Sequence, residues 1–195
     1  MKKTFEILIT FLLFTTLLSC EKKEIKINYY PTEDIVNDTS SVVFDLDSLK
    51  MNFKEFVNKC YELDDLKKQT IIELIDGDTL KKIKIHVLGN GTFYEKNILY
   101  IVNDSIQKDK NYPLSDLEKI IKKDYLNNGK IEDYAVSADR AIILISLNAD
   151  QNVKDLKKYL IKITKAFDEI NKENKDSLRL NIFIENLIPQ PHPLN

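Results

Sequence analysis

Residues 141–147 read Ala-Ile-Ile-Leu-Ile-Ser-Leu, and after Asn148-Ala149-Asp150-Gln151-Asn152 an apolar series runs through Val153, Leu156, Leu160, Ile163, Phe167 and Ile170. A short, almost continuous apolar run is the pattern of a central strand covered on both faces or nearly so. The series behind it advances by alternating steps of three and four, which places every member on one helix stripe. Asn152 and Asp155 supply a helix start, and Leu178, Leu180, Ile182 and Ile184 alternate as a last strand. A strand, a long amphipathic helix and a second strand in this order predict a sheet with helices laid on it.

The same alternation extends upstream. Lys82 to Leu88 puts Ile83, Ile85 and Val87 on one face and Lys82, Lys84 and His86 on the other, a half-buried strand. Gly89-Asn90-Gly91 fits a tight turn. Thr92 to Tyr94 and Ile98 to Ile106 are rich in aromatic and β-branched residues and are β-prone. Ser115 and Glu118 have the spacing of a capping box, Leu117, Ile120, Ile121 and Tyr125 form the apolar face behind it, and Asn127-Asn128-Gly129 ends that helix. Earlier still, Leu49, Phe53, Phe56, Val57 and Cys60 predict a helix from Asp47 to about Leu63, with a short strand at Ile71 to Ile75 and a turn at Asp76-Gly77-Asp78. The predicted fold class is α/β (α+β): a two-layer domain with a mixed β-sheet, helices packed on one face, and an additional N-terminal helix.

The run from Ala141 to Leu156, its amphipathic helix and Leu178-Arg-Leu-Asn-Ile-Phe183 resemble the periplasmic domain of ExbD and TolR proteins. Ile85 to Phe93, Ile101-Val-Asn-Asp104 and Leu114-Ser-Asp-Leu117 extend the resemblance over roughly Lys82 to Leu187. It implies a non-enzymatic part in an energy-transducing envelope complex, acting by self-association and by contact with an envelope protein. The family's transmembrane helix carries a proton-coupling aspartate. No counterpart exists between Ile7 and Leu18, so the resemblance does not extend to proton coupling.

The first residues carry a different signal. Lys2 and Lys3 precede the apolar run Ile7 to Leu18, and Leu17-Leu18-Ser19-Cys20 resembles the lipobox of bacterial lipoproteins. The resemblance implies cleavage between Ser19 and Cys20 and acylation of Cys20 through sulfur. The run is short of the roughly 20 apolar residues of a spanning helix, it contains three threonines, and Glu21-Lys22-Lys23-Glu24 ends it. Two or more acyl chains hold a protein at a bilayer where one is marginal. Glu21 to about Val43 shows no sustained periodicity and reads as a tether, its 20-odd residues reaching up to about 60–70 Å if extended, with Val42-Val43-Phe44 open to packing on the domain edge instead. The expected organisation is a cleaved signal at 1–19, lipidated Cys20 and tether at 20–43, a helix and strand extension at 44–80, an ExbD/TolR-like domain at 81–188 and a proline-rich tail at 189–195.

Composition narrows the chemistry. A net charge of −2 from interspersed acids and bases provides no basic field for nucleic acid. With Cys20 acylated, Cys60 has no disulfide partner, and its place on an apolar helix face marks it as a core residue. The two histidines, His86 and His192, have no neighbouring ligands at zinc spacing, and the four glycines form no phosphate-binding fingerprint. Asp76 with Asp78 and Asp150 with Asp155 read as turn and cap acids. Tyr29 and Tyr30 in the tether could touch a sugar or partner, but an aromatic platform would need such residues gathered on one sheet face. No catalytic residue, metal ligand or cofactor is therefore expected. The expected function is that of a non-enzymatic, lipid-anchored envelope protein with a protein-interaction domain; the alternative is a lipoprotein that binds a small ligand, glycan or peptidoglycan. The expected location is the outer membrane, on its periplasmic or cell-surface side. Glu21-Lys22-Lys23-Glu24 resembles the charged segment that routes some Bacteroidota lipoproteins to the surface.

Overall fold

The computed structural model describes residues 25–89, 93–174 and 178–186. The signal segment, Ser19, Cys20 and the proline-rich tail lie outside the described residues. Nine strands among the described residues form one mixed sheet: β1 (Lys26–Tyr30), β2 (Ser41–Asp45), β3 (Gln69–Asp76), β4 (Thr79–Val87), β5 (Ile98–Val102), β6 (Ser105–Gln107), β7 (Asn111–Pro113), β8 (Ile142–Leu147) and β9 (Ile182–Asn186). The order across it is β2-β3-β4-β9-β8-β5-β6-β7, and β1 lies beside the first half of β4 while β9 lies beside the second. The central pairs β4/β9, β9/β8 and β8/β5 are parallel, and the β3/β4 and β5/β6/β7 hairpins are antiparallel.

Helix α1 (Glu33–Val36) joins β1 to β2, and three longer helices, α2 (Phe53–Asp65), α3 (Leu117–Tyr125) and α4 (Leu156–Glu173), share one layer with one face of the sheet. Phe56 and Cys60 of α2, Ile121 and Tyr125 of α3, and Leu160, Ile163 and Phe167 of α4 meet Ile72, Ile83, Ile101, Ile145 and Ile182 in a single core. Every residue of β8 is buried: Ile143, Ile145 and Leu147 in the core under the helices, and Ile142 and Leu144 on the other face in a small cluster with Ile98. The long stripe of α4 follows the three-and-four spacing, with Leu156, Leu160, Ile163, Phe167 and Ile170 all inside.

The largest differences between the structure and the sequence expectation are three. The tether is the largest: residues 26–30 and 41–45 are strands of the sheet, with β1 parallel to β4 and β2 parallel to β3. Backbone pairing and the burial of Tyr30 and Val36 hold this segment to the domain, so the stretch between Cys20 and the first strand shrinks to residues 20–25. Second, the expected boundary at 80/81 falls inside β4, and one core spans both sides of it. Third, the capping box sits elsewhere. Asn52 Oδ1 accepts from the Glu55 amide at 2.8 Å and Glu55 returns the bond to the Asn52 amide at 3.0 Å, so α2 begins at Phe53 rather than at Asp47. Ser115 instead lies in a 3-10 turn before α3, whose first turn has no side-chain cap.

Candidate functional site

Alternation along the central strands leaves the opposite sheet face to Lys82, Lys84 and His86 of β4, Phe183 and Glu185 of β9, Ile142, Leu144 and Ser146 of β8, and Ile98, Tyr100 and Val102 of β5. None of α2, α3 and α4 covers these residues. Ile98, Ile142 and Leu144 form a small second cluster there, with Leu88, Tyr100 and Phe183 half-buried against it.

Phe183 is the hub. The His86 ring stacks on it with centroids 4.9 Å apart and planes 21° apart, and Phe93 meets it edge-on at 5.5 Å. Such offset and edge contacts are the arrangements that aromatic quadrupoles favour. Tyr94 stands outward beside them, 66 % exposed. Together with Asn97, Asp139, Arg140, Ile142 and Asn181 these rings line a hollow of about 360 Å³. A larger hollow of about 690 Å³ also touches Tyr94 and continues past Tyr100 to Glu132 and Asp133. The first therefore joins an aromatic lining to the charged groups of Asp139 and Arg140, and the second mixes acids, Glu95, Glu132 and Asp133, with Lys96 and Lys108.

Burial is the main reason His86 is held neutral: it lowers the imidazole from 6.5 to about 4, with Lys84 adding to the shift and Asp64 opposing it. A neutral ring stacks on Phe183 without the desolvation cost of a cation. Tyr100 is raised, first by burial and then by Glu95 and Glu185. Ser146 donates to Glu185 at 2.8 Å on the same face, which fixes that carboxylate.

The other residues singled out by sequence are dispersed. Cys60 is buried in the core as a free thiol, pushed up to about 12 by burial, so it is a poor nucleophile. Asp76 is bridged by Lys81 at 3.0 Å and Lys165 at 3.1 Å. Asp150 and Asp155 are exposed just before α4. Tyr29 and Tyr30, neighbours in a strand, face opposite sides of the sheet: Tyr30 enters the core and Tyr29 does not. Asn90 and Gly91 of the turn, Ser19, Cys20 and His192 lie outside the described residues. Among the described residues no group of three or more histidines, cysteines and carboxylates is placed to hold a metal ion.

Sequence reading missed the aromatic cluster because Phe93, Tyr100 and Phe183 come from a loop and two non-consecutive strands. Its one visible sign was the position of His86 on the outward side of an alternating strand. No protein-family model, no curated protein and no solved structure matches the chain.

Proposed function

We propose that this chain is a non-enzymatic, lipid-anchored protein of the bacterial envelope, held at the membrane through Cys20, which binds an envelope protein or a second copy of itself through the sheet face opposite α2, α3 and α4. The observation that carries the reading is the cluster of Phe183, Phe93 and His86 with Tyr94 exposed beside it. Aromatic anchors with an arginine at the rim are the composition of protein-binding hot spots. The mixed sheet with its helices on one side supports an ExbD/TolR-like interaction domain, working without that family's proton-coupling helix. No helix among the described residues is long and apolar enough to cross a membrane.

The experiment is photocrosslinking in intact cells, with a benzophenone side chain in place of Tyr94. The expected result is an adduct with one envelope protein or with a second copy. A chain that stays uncrosslinked and monomeric overturns the reading.

A second reading has its own observation. The aromatic floor beside Asp139 and Arg140 suits a sugar ring, which stacks on aromatic faces and hydrogen-bonds at its edge. Saturable binding to isolated cell wall, lost in Phe93→Ala, is its test. The site of action proposed is the outer membrane, on its periplasmic or cell-surface side.

A further inference from the structure

The sheet face opposite α2, α3 and α4 carries a second apolar feature, at the opposite end from the aromatic cluster. Ile27 of β1 pairs with Leu80 of β4, and Leu80 pairs with Ile75 of β3. Directly paired residues point to the same side, so the three side chains form a row across about 10 Å of sheet. Ile75 is 51 % exposed, Ile27 43 %, and Ile25, just ahead of the strand, 61 %. Isolated exposed apolar residues are ordinary, but a contiguous row calls for an occupant.

The ion pair on the row's own face and the one behind it are already made. Lys82 bridges Glu73 at 2.7 Å, and Asp76 is bridged by Lys81 and Lys165. Contact with an apolar medium therefore strands no unpaired ion among these groups.

Chain length names the occupant. Cys20 precedes Ile25 by five residues, which span about 17–18 Å at most. Resting on the proposed acylation of Cys20, we infer that Ile25, Ile27, Leu80 and Ile75 are a membrane seat: they dip into the headgroup boundary of the bilayer that holds the lipid. A short link keeps the row at high effective concentration next to that surface. The aromatic hollow, six residues further along β4 at His86, is then held about 20 Å away along the same face. The seat thus sets the height and the orientation in which the binding face is presented.

The test uses the full acylated protein in vesicles of phosphatidylethanolamine and phosphatidylglycerol, some with nitroxide-bearing acyl chains. A fluorophore is attached at Ile27→Cys or Ile75→Cys, and Cys60 stays unlabelled because it is buried. The control label is at Leu66→Cys: Leu66 is 66 % exposed and equally apolar, but it lies beyond the far end of β3. Labels at positions 27 and 75 should lose on the order of half their emission to the lipid nitroxides, as expected about 5–10 Å into the interface, while the label at position 66 does not. Acylated, vesicle-bound protein with all three labels unquenched overturns the seat alone. A chain shown by mass spectrometry to carry no acyl group at Cys20 overturns the anchor and the seat together.

Discussion

Tyr30 donates its phenolic hydrogen to the carboxylate of Asp168, whose oxygens lie 2.9 and 2.8 Å away across 138 residues of sequence. This bond ties the first strand to the longest helix. The Tyr30 ring also packs edge-on against Phe167 at 6.4 Å, so its apolar body and its polar tip are both satisfied. Removing only the hydroxyl in Tyr30→Phe leaves the half-buried carboxylate short of a charged hydrogen bond, worth about 1–2 kcal/mol. Urea unfolding should show that loss, and limited proteolysis should cut earlier between β1 and β2. An unchanged midpoint would mean that β1 is held by its backbone pairing alone.

Lys108 and Asp124 form a bridge of 2.9 Å with side chains only 2 % and 1 % exposed. Lys108 also donates to the carbonyls of Lys96 and Ile98, and Asp124 accepts from the Ala135 amide at 2.9 Å. Burial pulls both groups toward neutrality, lowering the lysine and raising the aspartate, and their mutual attraction opposes it. Lys108→Met should cost about 3–5 kcal/mol by leaving a buried carboxylate alone. The pair Lys108→Met with Asp124→Leu should cost less than the sum of the single changes. Additive losses in the double-mutant cycle would show that the two groups act independently.

Much of the fold was legible where one pattern ran long. The run at Ala141 to Leu147 and the stripe from Val153 to Ile170 each became the expected element, because burial on both faces of a strand and on one face of a helix writes a strong period. The first strand was hidden, and the second showed only as an edge-packing run, for the opposite reason. Ile25 to Tyr30 is a short edge segment with three of its side chains exposed, and the Val42-Val43-Phe44 run of β2 is too brief to set a period. Their pairing with β4 and β3 is a long-range property that local sequence does not encode. The binding face was hidden likewise. Alternation assigned His86 to an outward side, but strand order alone brings Phe183 beneath it.

His86 makes stability depend on acid. Its imidazole is held near 4 in the fold against 6.5 when unfolded, so the unfolded chain takes up the proton first. The contribution is complete above pH 6.5 and is lost as pH falls toward 4, reaching about 3 kcal/mol at full extent. Between pH 7.5 and 5 the wild type should lose roughly 2 kcal/mol from this group, and His86→Gln should show a correspondingly flatter profile. Equal slopes for both in urea titrations would place the acid sensitivity elsewhere.

Tyr94 and Phe183 separate binding from folding. Tyr94 is 66 % exposed and takes no part in the small cluster under the sheet, so Tyr94→Ala should shift stability by no more than about 0.5 kcal/mol. If it anchors a partner, its loss should weaken capture by on the order of 30-fold, the scale of a hot-spot aromatic. Phe183 is different, since it supports His86 and Phe93 at once. Phe183→Ala should weaken capture and also destabilise the domain, by about 1–3 kcal/mol, because the half-buried ring leaves a gap against Ile142 and Leu144. Measuring affinity and urea midpoint on both variants distinguishes the roles. Unaltered capture in Tyr94→Ala and Phe183→Ala alike would move the binding surface off this face, leaving the aromatic cluster as cover for the apolar side of β8.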